Sequence, residues 1–237
     1  MLVRNKKTMS LGAVMALTFV GVLILIFSPV FDGKNGLQYS DDLFNKLAKG
    51  SSYFVPELKE SLKEVQSTDL SGTTIKMENA DAAARAAKLL NYAQSKVEVK
   101  GVELRISGNL ANVLRVVLDD SDAMYFNKGS ELSTKYGMDE KDVMTTWWGV
   151  LNRVAKEFQK NKKAEQAGVI FEVMRKGIEP AYNFYKIEPQ KVSGKALTVI
   201  GMLFFYVLYT MWWGYAIFNL FDGIGLSAQK AKFKQEV

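Results

Sequence analysis

The chain contains neither cysteine nor histidine. Without cysteine there is no disulfide framework, no thiol nucleophile and no thiolate ligation of an iron–sulfur cluster. Without histidine the usual general base, the commonest zinc ligand and the usual haem ligand are missing. Carboxylates remain, so calcium and magnesium chemistry stays open while typical zinc, haem and copper sites do not. Also absent are a nucleotide-binding glycine loop and the GxSxG, HExxH and CxxCH patterns. The sequence therefore nominates no catalytic residue, no cofactor-binding residue and no metal ligand. A non-catalytic protein without a cofactor is the expectation.

Charge is absent from two long stretches, one near each end. Thr8 to Phe31 lies between Lys7 and Asp32, and Ala196 to Phe221 lies between Lys195 and Asp222. A helix rises about 1.5 Å per residue, so about 20 apolar residues cross a hydrocarbon core roughly 30 Å thick. Transmembrane helices are predicted over 9–30 and 196–222. The first has the basic start of a signal peptide, but its apolar run is longer than a typical one. The run ends in Phe27-Ser28-Pro29-Val30-Phe31 rather than in a small-x-small cleavage site. It reads as an uncleaved signal anchor.

The net charge of +6 invites a nucleic-acid reading, but its distribution argues against one. Residues 32–195 hold 25 basic and 23 acidic side chains, well mixed. The excess sits in the tails, with Arg4, Lys6 and Lys7 before the first span and Lys230, Lys232 and Lys234 after the second. Basic flanks beside spans follow the positive-inside rule. The expected layout is a cytoplasmic basic tail (1–8), the first span, an extracytoplasmic domain (31–195), the second span and a second cytoplasmic basic tail (223–237). The fold class is a membrane protein, with two transmembrane α-helices flanking one mainly helical α+β domain. The implied location is a bacterial inner membrane with the domain on its periplasmic or extracellular side.

Within the domain, Asp32-Gly33-Lys34-Asn35-Gly36 is a turn-rich exit. Ser40-Asp41-Asp42 caps a short helix ending at Gly50. A helix over Tyr53–Gln66 has Pro56 in its first turn and Leu58, Leu62 and Val65 on its apolar face. A short strand, Thr73–Met77, precedes an alanine-rich helix over Asn79–Gln94. Val97, Val99, Val102, Leu104 and Ile106 alternate with charges around Gly101, as a strand pair or one bulged strand. Asn109 opens a helix through Phe126. From Asp139 the reading is helical: Glu140–Gln159, Lys162–Arg175 punctuated by Gly177, and a short helix around Glu179–Tyr185 with Pro180 in its first turn. The strand–helix order implies a small α+β unit with helices on one sheet face.

Four constellations stand out. Asp119, Asp120 and Asp122 suggest a divalent cation, but the glycine that a calcium loop needs at its sixth position is missing, so a solvated acidic helix face is expected. Trp147 and Trp148 sit about 100° apart on one helix, so one faces away from the core, and the pair is a candidate partner contact. Asn152, Tyr182, Asn183 and Tyr185 are of the types that line a ligand cleft, though nothing in their spacing selects one. The second span is aromatic along its length, where a plain anchor would confine aromatics to its ends. Tyr206, Tyr209 and Thr210 place hydroxyls near mid-bilayer, and Trp213 adds bulk. Thr210 and Gly214 form a small-residue notch, matched by Gly12 and Ala16 in the first span.

These features suggest an accessory or structural subunit of a membrane protein complex. Its partners would be other integral membrane subunits, or copies of itself, within a lipid bilayer, and not nucleic acid. The alternative is an extracytoplasmic sensor or solute-binding regulator. Only about 15 residues come after the second span, so its signal would pass through a partner protein.

Overall fold

Capping side chains and apolar periodicity set most of the element boundaries. The computed structural model describes residues 3–226. Lys230, Lys232 and Lys234, with most of the tail expected over 223–237, lie outside the described residues. Helix α1, Lys6–Phe27, starts where the Asn5 side chain accepts from the Lys7 and Thr8 amides at 3.1 and 3.4 Å. Helix α2, Gly36–Gly50, begins earlier than a cap at Ser40 implies. Asn35 Oδ1 accepts from the Gln38 amide at 2.9 Å and Gln38 Oε1 accepts from the Asn35 amide at 3.0 Å. This reciprocal box satisfies two helix-end donors, which is why the helix starts there.

Helix α3, Val55–Ser61, has Pro56 in its first turn and tightens into a 3₁₀ turn, Leu62–Val65. Strand β1 is Thr73–Lys76. Helix α4, Ala80–Tyr92, is capped by Asn79. Strands β2, Lys96–Lys100, and β3, Glu103–Ser107, turn at Gly101, whose φ of 63° is glycine's province. The alternation is thus a hairpin rather than one bulged strand. Helix α5, Leu110–Tyr125, is capped by Asn109. Helix α6, Gly129–Tyr136, has no counterpart in the sequence reading, and ends on a left-handed Gly137. Helix α7, Glu140–Lys160, is capped by Asp139.

Helix α8, Ala164–Val173, does not break at Gly177. It runs through a π-helical turn, Met174–Ile178, into α9, Glu179–Asn183. Pro180 has no N–H for the Lys176 carbonyl, and the Glu179 amide reaches back five residues to the Met174 carbonyl. Helix α10 is Ala196–Gly223.

The chain divides into two compact units. One takes in the described residues up to 44 and from 191 onward, and so contains both long apolar helices. The other is residues 45–190, a little shorter than the domain expected from the spans. Among its described residues the strands form an antiparallel sheet ordered β1-β3-β2. Helix α4 carries the chain from β1 across β3 to β2, a split β-α-β arrangement. Thr73, Ile75, Leu104 and Ile106 are buried on one face, while Thr74, Glu98, Glu103 and Arg105 are exposed on the other. Leu58, Leu62 and Val65 meet Leu89, Leu90, Leu114, Trp147 and Ile170 in one continuous core.

In the other unit, α1 and α10 run antiparallel along their length. Both are long and apolar enough to cross a membrane, and almost nothing of either apolar window is buried. The core helix of a soluble protein would be mostly buried. The molecule is therefore mostly helical, with a small three-stranded sheet and two candidate membrane spans.

Candidate functional site

The first candidate surface is the α1–α10 hairpin. One close approach is at Gly12, where a Cβ would lie 2.7 Å from the Leu220 amide nitrogen and 3.0 Å from the Ala216 carbonyl. Phe19 stacks on Tyr209 at 4.1 Å between ring centroids and meets Trp213 at 4.6 Å. The Tyr209 hydroxyl donates to the Phe19 carbonyl at 3.1 Å, which answers its need for a partner in an apolar setting. At the far end the Gly223 carbonyl accepts from the Arg4 and Asn5 amides at 2.9 and 3.0 Å.

Of the expected packing residues, Gly12, Tyr209 and Trp213 therefore meet across this seam, and Ala16 is half-buried one turn from Gly12. Tyr206, Thr210 and Gly214 do not join it. The Thr210 hydroxyl donates within its own helix, to Tyr206 and Val207 carbonyls. Nothing lies within 4 Å of a Cβ added at Gly214. The second helix's small-residue contact comes instead from Ala216 and Gly223, both buried.

With that seam filled, Phe204, Met211, Tyr215 and Phe218 remain exposed. Their spacing of seven, eleven and fourteen residues from Phe204 places them on one stripe of α10.

The second candidate surface is a cleft in the 45–190 unit, with a volume of about 330 Å³. Met144, Thr145 and Trp148 of α7 form one wall, and Ile178, Tyr182 and Asn183 of the π turn and α9 form the other. The π turn and Pro180 set the register that brings Tyr182 and Asn183 to the cleft. Trp148 is half-buried, and its indole N–H makes no hydrogen bond among the described residues. The Asn183 amide is likewise unpaired there. Apolar walls with a few unpaired polar groups suit the non-covalent binding of a peptide side chain or small amphipathic molecule. Asn152 is not among the cleft residues, and the Tyr185 hydroxyl is committed to Glu140 Oε1 at 2.9 Å.

Trp147 needs correction. It is fully buried, and its indole Nε1 donates to Asp120 Oδ2 at 2.8 Å. It is therefore not a surface contact; only Trp148 retains that capacity. Of the three aspartates, Asp119 is exposed and Asp122 half-buried on the expected solvated face, and only Asp120 needs correction. Asp120 is 2% exposed and also accepts from the Tyr136 hydroxyl at 2.6 Å and Lys135 Nζ at 2.8 Å. Burial, with the Asp120 charge beside it, pushes the Tyr136 phenol well up from its ordinary value. Asp119 pairs with Lys59 at 2.7 Å, and Asp122 accepts from the Tyr53 hydroxyl at 2.7 Å. Among the described residues no group of three acidic side chains is placed to hold a metal ion.

Lys49 is a feature of the structure alone. It is fully buried, and its ammonium donates to the Ile187 carbonyl at 2.5 Å and to Asn127 Oδ1 at 3.0 Å. Desolvation pulls its pKa down, opposed by the Glu188 charge. The Gln190 amide donates to the Lys46 carbonyl at 2.9 Å. Together these bonds clip the beginning of the 45–190 unit to its end. In sequence Lys49 is an ordinary basic residue near a helix terminus, so no signal distinguishes it.

Comparison with family models, with curated proteins and with solved structures finds no match.

Proposed function

We propose that this chain is a non-catalytic accessory subunit of a bacterial inner-membrane protein complex. In this reading α1 and α10 cross the bilayer with both termini cytoplasmic, and the 45–190 unit lies outside. The observation that carries it is the stripe Phe204, Met211, Tyr215 and Phe218, left exposed after Gly12, Phe19, Tyr209 and Ala216 have closed the hairpin. A hairpin serving only as an anchor has no need of aromatics on its outer face. Packing, rather than hydrogen bonding, is what such a stripe offers a neighbouring helix, since interhelical hydrogen bonds average only about 0.6 kcal/mol. Thr210 and Gly214 border the stripe and allow close approach.

Detergent purification of the tagged full chain tests this. The native chain should migrate on native gels as a defined assembly larger than itself. Replacing Phe204, Tyr215 and Phe218 with leucine should reduce it to the lone hairpin without loss from the membrane fraction. Unchanged migration of the triple variant would refute the role of the stripe.

A second reading has its own support. The cleft beside Trp148, with its unpaired indole and amide, favours an extracytoplasmic sensor or solute-binding regulatory subunit acting through a partner. Trp148→Phe should abolish a ligand-dependent change in tryptophan fluorescence while leaving the thermal melt unchanged. A ligand response that survives the change would exclude this cleft.

A further inference from the structure

Within the unit that contains both long helices lies a groove of about 700 Å³. Its floor and sides come from Ile26 near the end of α1, from Leu37 and Phe44 of α2, and from Leu197, Met202 and Tyr206 of α10. The lining is almost wholly apolar. We propose that this groove binds one acyl tail of a bilayer lipid. The proposal rests on the membrane reading of α1 and α10.

Three observations converge on that occupant. The first is depth. From Leu197 to Tyr206 the groove runs along about ten residues of α10, or about 14 Å at 1.5 Å per residue. That is half of a hydrocarbon core roughly 30 Å thick, the span of one leaflet. A partner's transmembrane helix would need a seam along the whole of α10, whereas this groove covers about ten of its 28 residues.

The second is construction. The wall formed by the start of α2 is held by specific contacts. Phe31 stacks on Tyr39 at 5.5 Å, and the backbones of Phe31 and Lys34 bond to each other at 3.0 and 2.9 Å. The Asn35–Gln38 box fixes the first turn. Gly36 lets that turn close on α1, because a Cβ there would lie 3.1 Å from the Ile26 carbonyl. The groove is pre-formed, as ligand sites usually are.

The third is chemistry at the rim. Leu37 is 55% exposed and Phe44 46% exposed, and both lie beyond the charge-free run of the first span. An acyl tail leaving the bilayer edge covers them, while Ser40 and Thr198 sit beside it at the groove wall. Gly201 belongs to the groove wall, and a Cβ added there meets nothing within 4 Å, so the wall has room for a larger side chain.

The test uses the full chain in vesicles of phosphatidylethanolamine and phosphatidylglycerol, doped with a phospholipid carrying a diazirine at its acyl terminus. After illumination, adducts are mapped by mass spectrometry. Adducts should concentrate on Leu37, Phe44, Met202 and Tyr206, several-fold above Val14 and Leu17, which are exposed on α1 outside the groove. Gly201→Phe should cut groove labelling several-fold. Gly21→Phe, at a glycine that is equally open but lies on α1 outside the groove, should leave it unchanged.

Even labelling of groove and outer face, or groove labelling indifferent to Gly201→Phe, overturns the proposal. So does cross-linking of a second protein chain at Leu37 or Met202 in place of lipid. Carbonate extraction separates the two readings. A chain retained in the membrane but evenly labelled overturns only the acyl site, whereas a chain released by carbonate overturns the membrane reading and the site together.

Discussion

Trp147 donates its indole N–H to Asp120 Oδ2 at 2.8 Å, deep in the core of the 45–190 unit. The carboxylate also takes the Tyr136 hydroxyl and the Lys135 ammonium, so one side chain of α5 fastens both α6 and α7. Asp120→Ala should strand two buried donors, at about 1 to 3 kcal/mol each. We expect a loss of about 2 to 6 kcal/mol in urea unfolding, the sum over the two stranded donors. Asp120→Asn keeps one acceptor oxygen and should cost less. Trp148→Ala should cost far less than Trp147→Ala, for which about 3 to 5 kcal/mol is typical of a buried tryptophan. Equal costs for the two tryptophans would contradict their opposite placement.

The hairpin makes a sharp distinction between two glycines of the long helices. A side chain at Gly12 collides with the α10 backbone, while one at Gly214 meets open space. Gly12→Leu should therefore separate the helices. Paired cysteines placed at Phe19 and Tyr209 report this, since the chain has no others. Disulfide formation between them should be strong in the parent and in Gly214→Leu, and weak in Gly12→Leu. If Gly214→Leu breaks the cross-link instead, the seam is wrongly assigned.

Orientation is open to the same chemistry. Ser130→Cys is exposed in the 45–190 unit, and Gln235→Cys lies in the C-terminal tail. An impermeant maleimide should label the first in intact spheroplasts and the second only after lysis. The reverse pattern would place the basic tails outside.

Residues 36–190 should also fold without the long helices, because the core is built entirely from residues 55–181. The fragment should be soluble, give a mixed α/β circular dichroism spectrum and melt in one cooperative step. Neither calcium nor a chelator should move that melt, since Asp119, Asp120 and Asp122 each have a different protein partner. A non-cooperative melt would mean that the core depends on the rest of the chain.

How much of this is legible in the sequence depends on how local each signal is. The two charge-free runs correspond to α1 and α10, and Asn79, Asn109 and Asp139 cap the helices that their positions predict. Those signals act within a few residues. Helix α6 escapes a sequence reading because only Leu132 and Tyr136 mark its buried face beyond Gly129, too few for a visible period. Gly177 suggests a break, whereas Pro180 three residues on reorganises the ladder and lets the helix continue through a π turn. The fates of Asp120, Lys49 and Trp148 are illegible for a different reason. Each is decided by residues distant in sequence: Tyr136 and Trp147, Asn127 and Ile187, and Tyr182 respectively. Helical spacing does say that Asp120 points away from Asp119 and Asp122, but not that α6 and α7 wait there with three donors.

Glu140 provides a pH-dependent prediction. Its Oε2 accepts from Ser133 Oγ at 2.7 Å and its Oε1 from the Tyr185 hydroxyl at 2.9 Å, joining α6, α7 and the segment after α9. The hydroxyl bond from Ser133 is the main cause that holds its pKa below the ordinary 4.5, with the backbone amide and Tyr185 adding to it. A carboxylate with a depressed folded pKa binds fewer protons in the folded state than in the unfolded one. Its contribution to stability is therefore complete above the unfolded value and is lost as pH falls through the folded one. The 36–190 fragment should lose stability on acidification from about pH 5 downward, and Glu140→Gln should flatten part of that slope. At pH 7 the variant should be less stable, by about 1 to 2 kcal/mol, because hydrogen bonds to a charged group are worth about 1.5 to 3 kcal/mol and solvent screens this partly exposed carboxylate. For a domain of this size each kcal/mol is about 2 to 4 °C in Tm. The gap between variant and parent should narrow steadily as pH drops below 4.5. Melting curves at intervals between pH 3 and pH 7 measure it. A gap that stays constant across that range would mean that Glu140 acts through packing rather than charge.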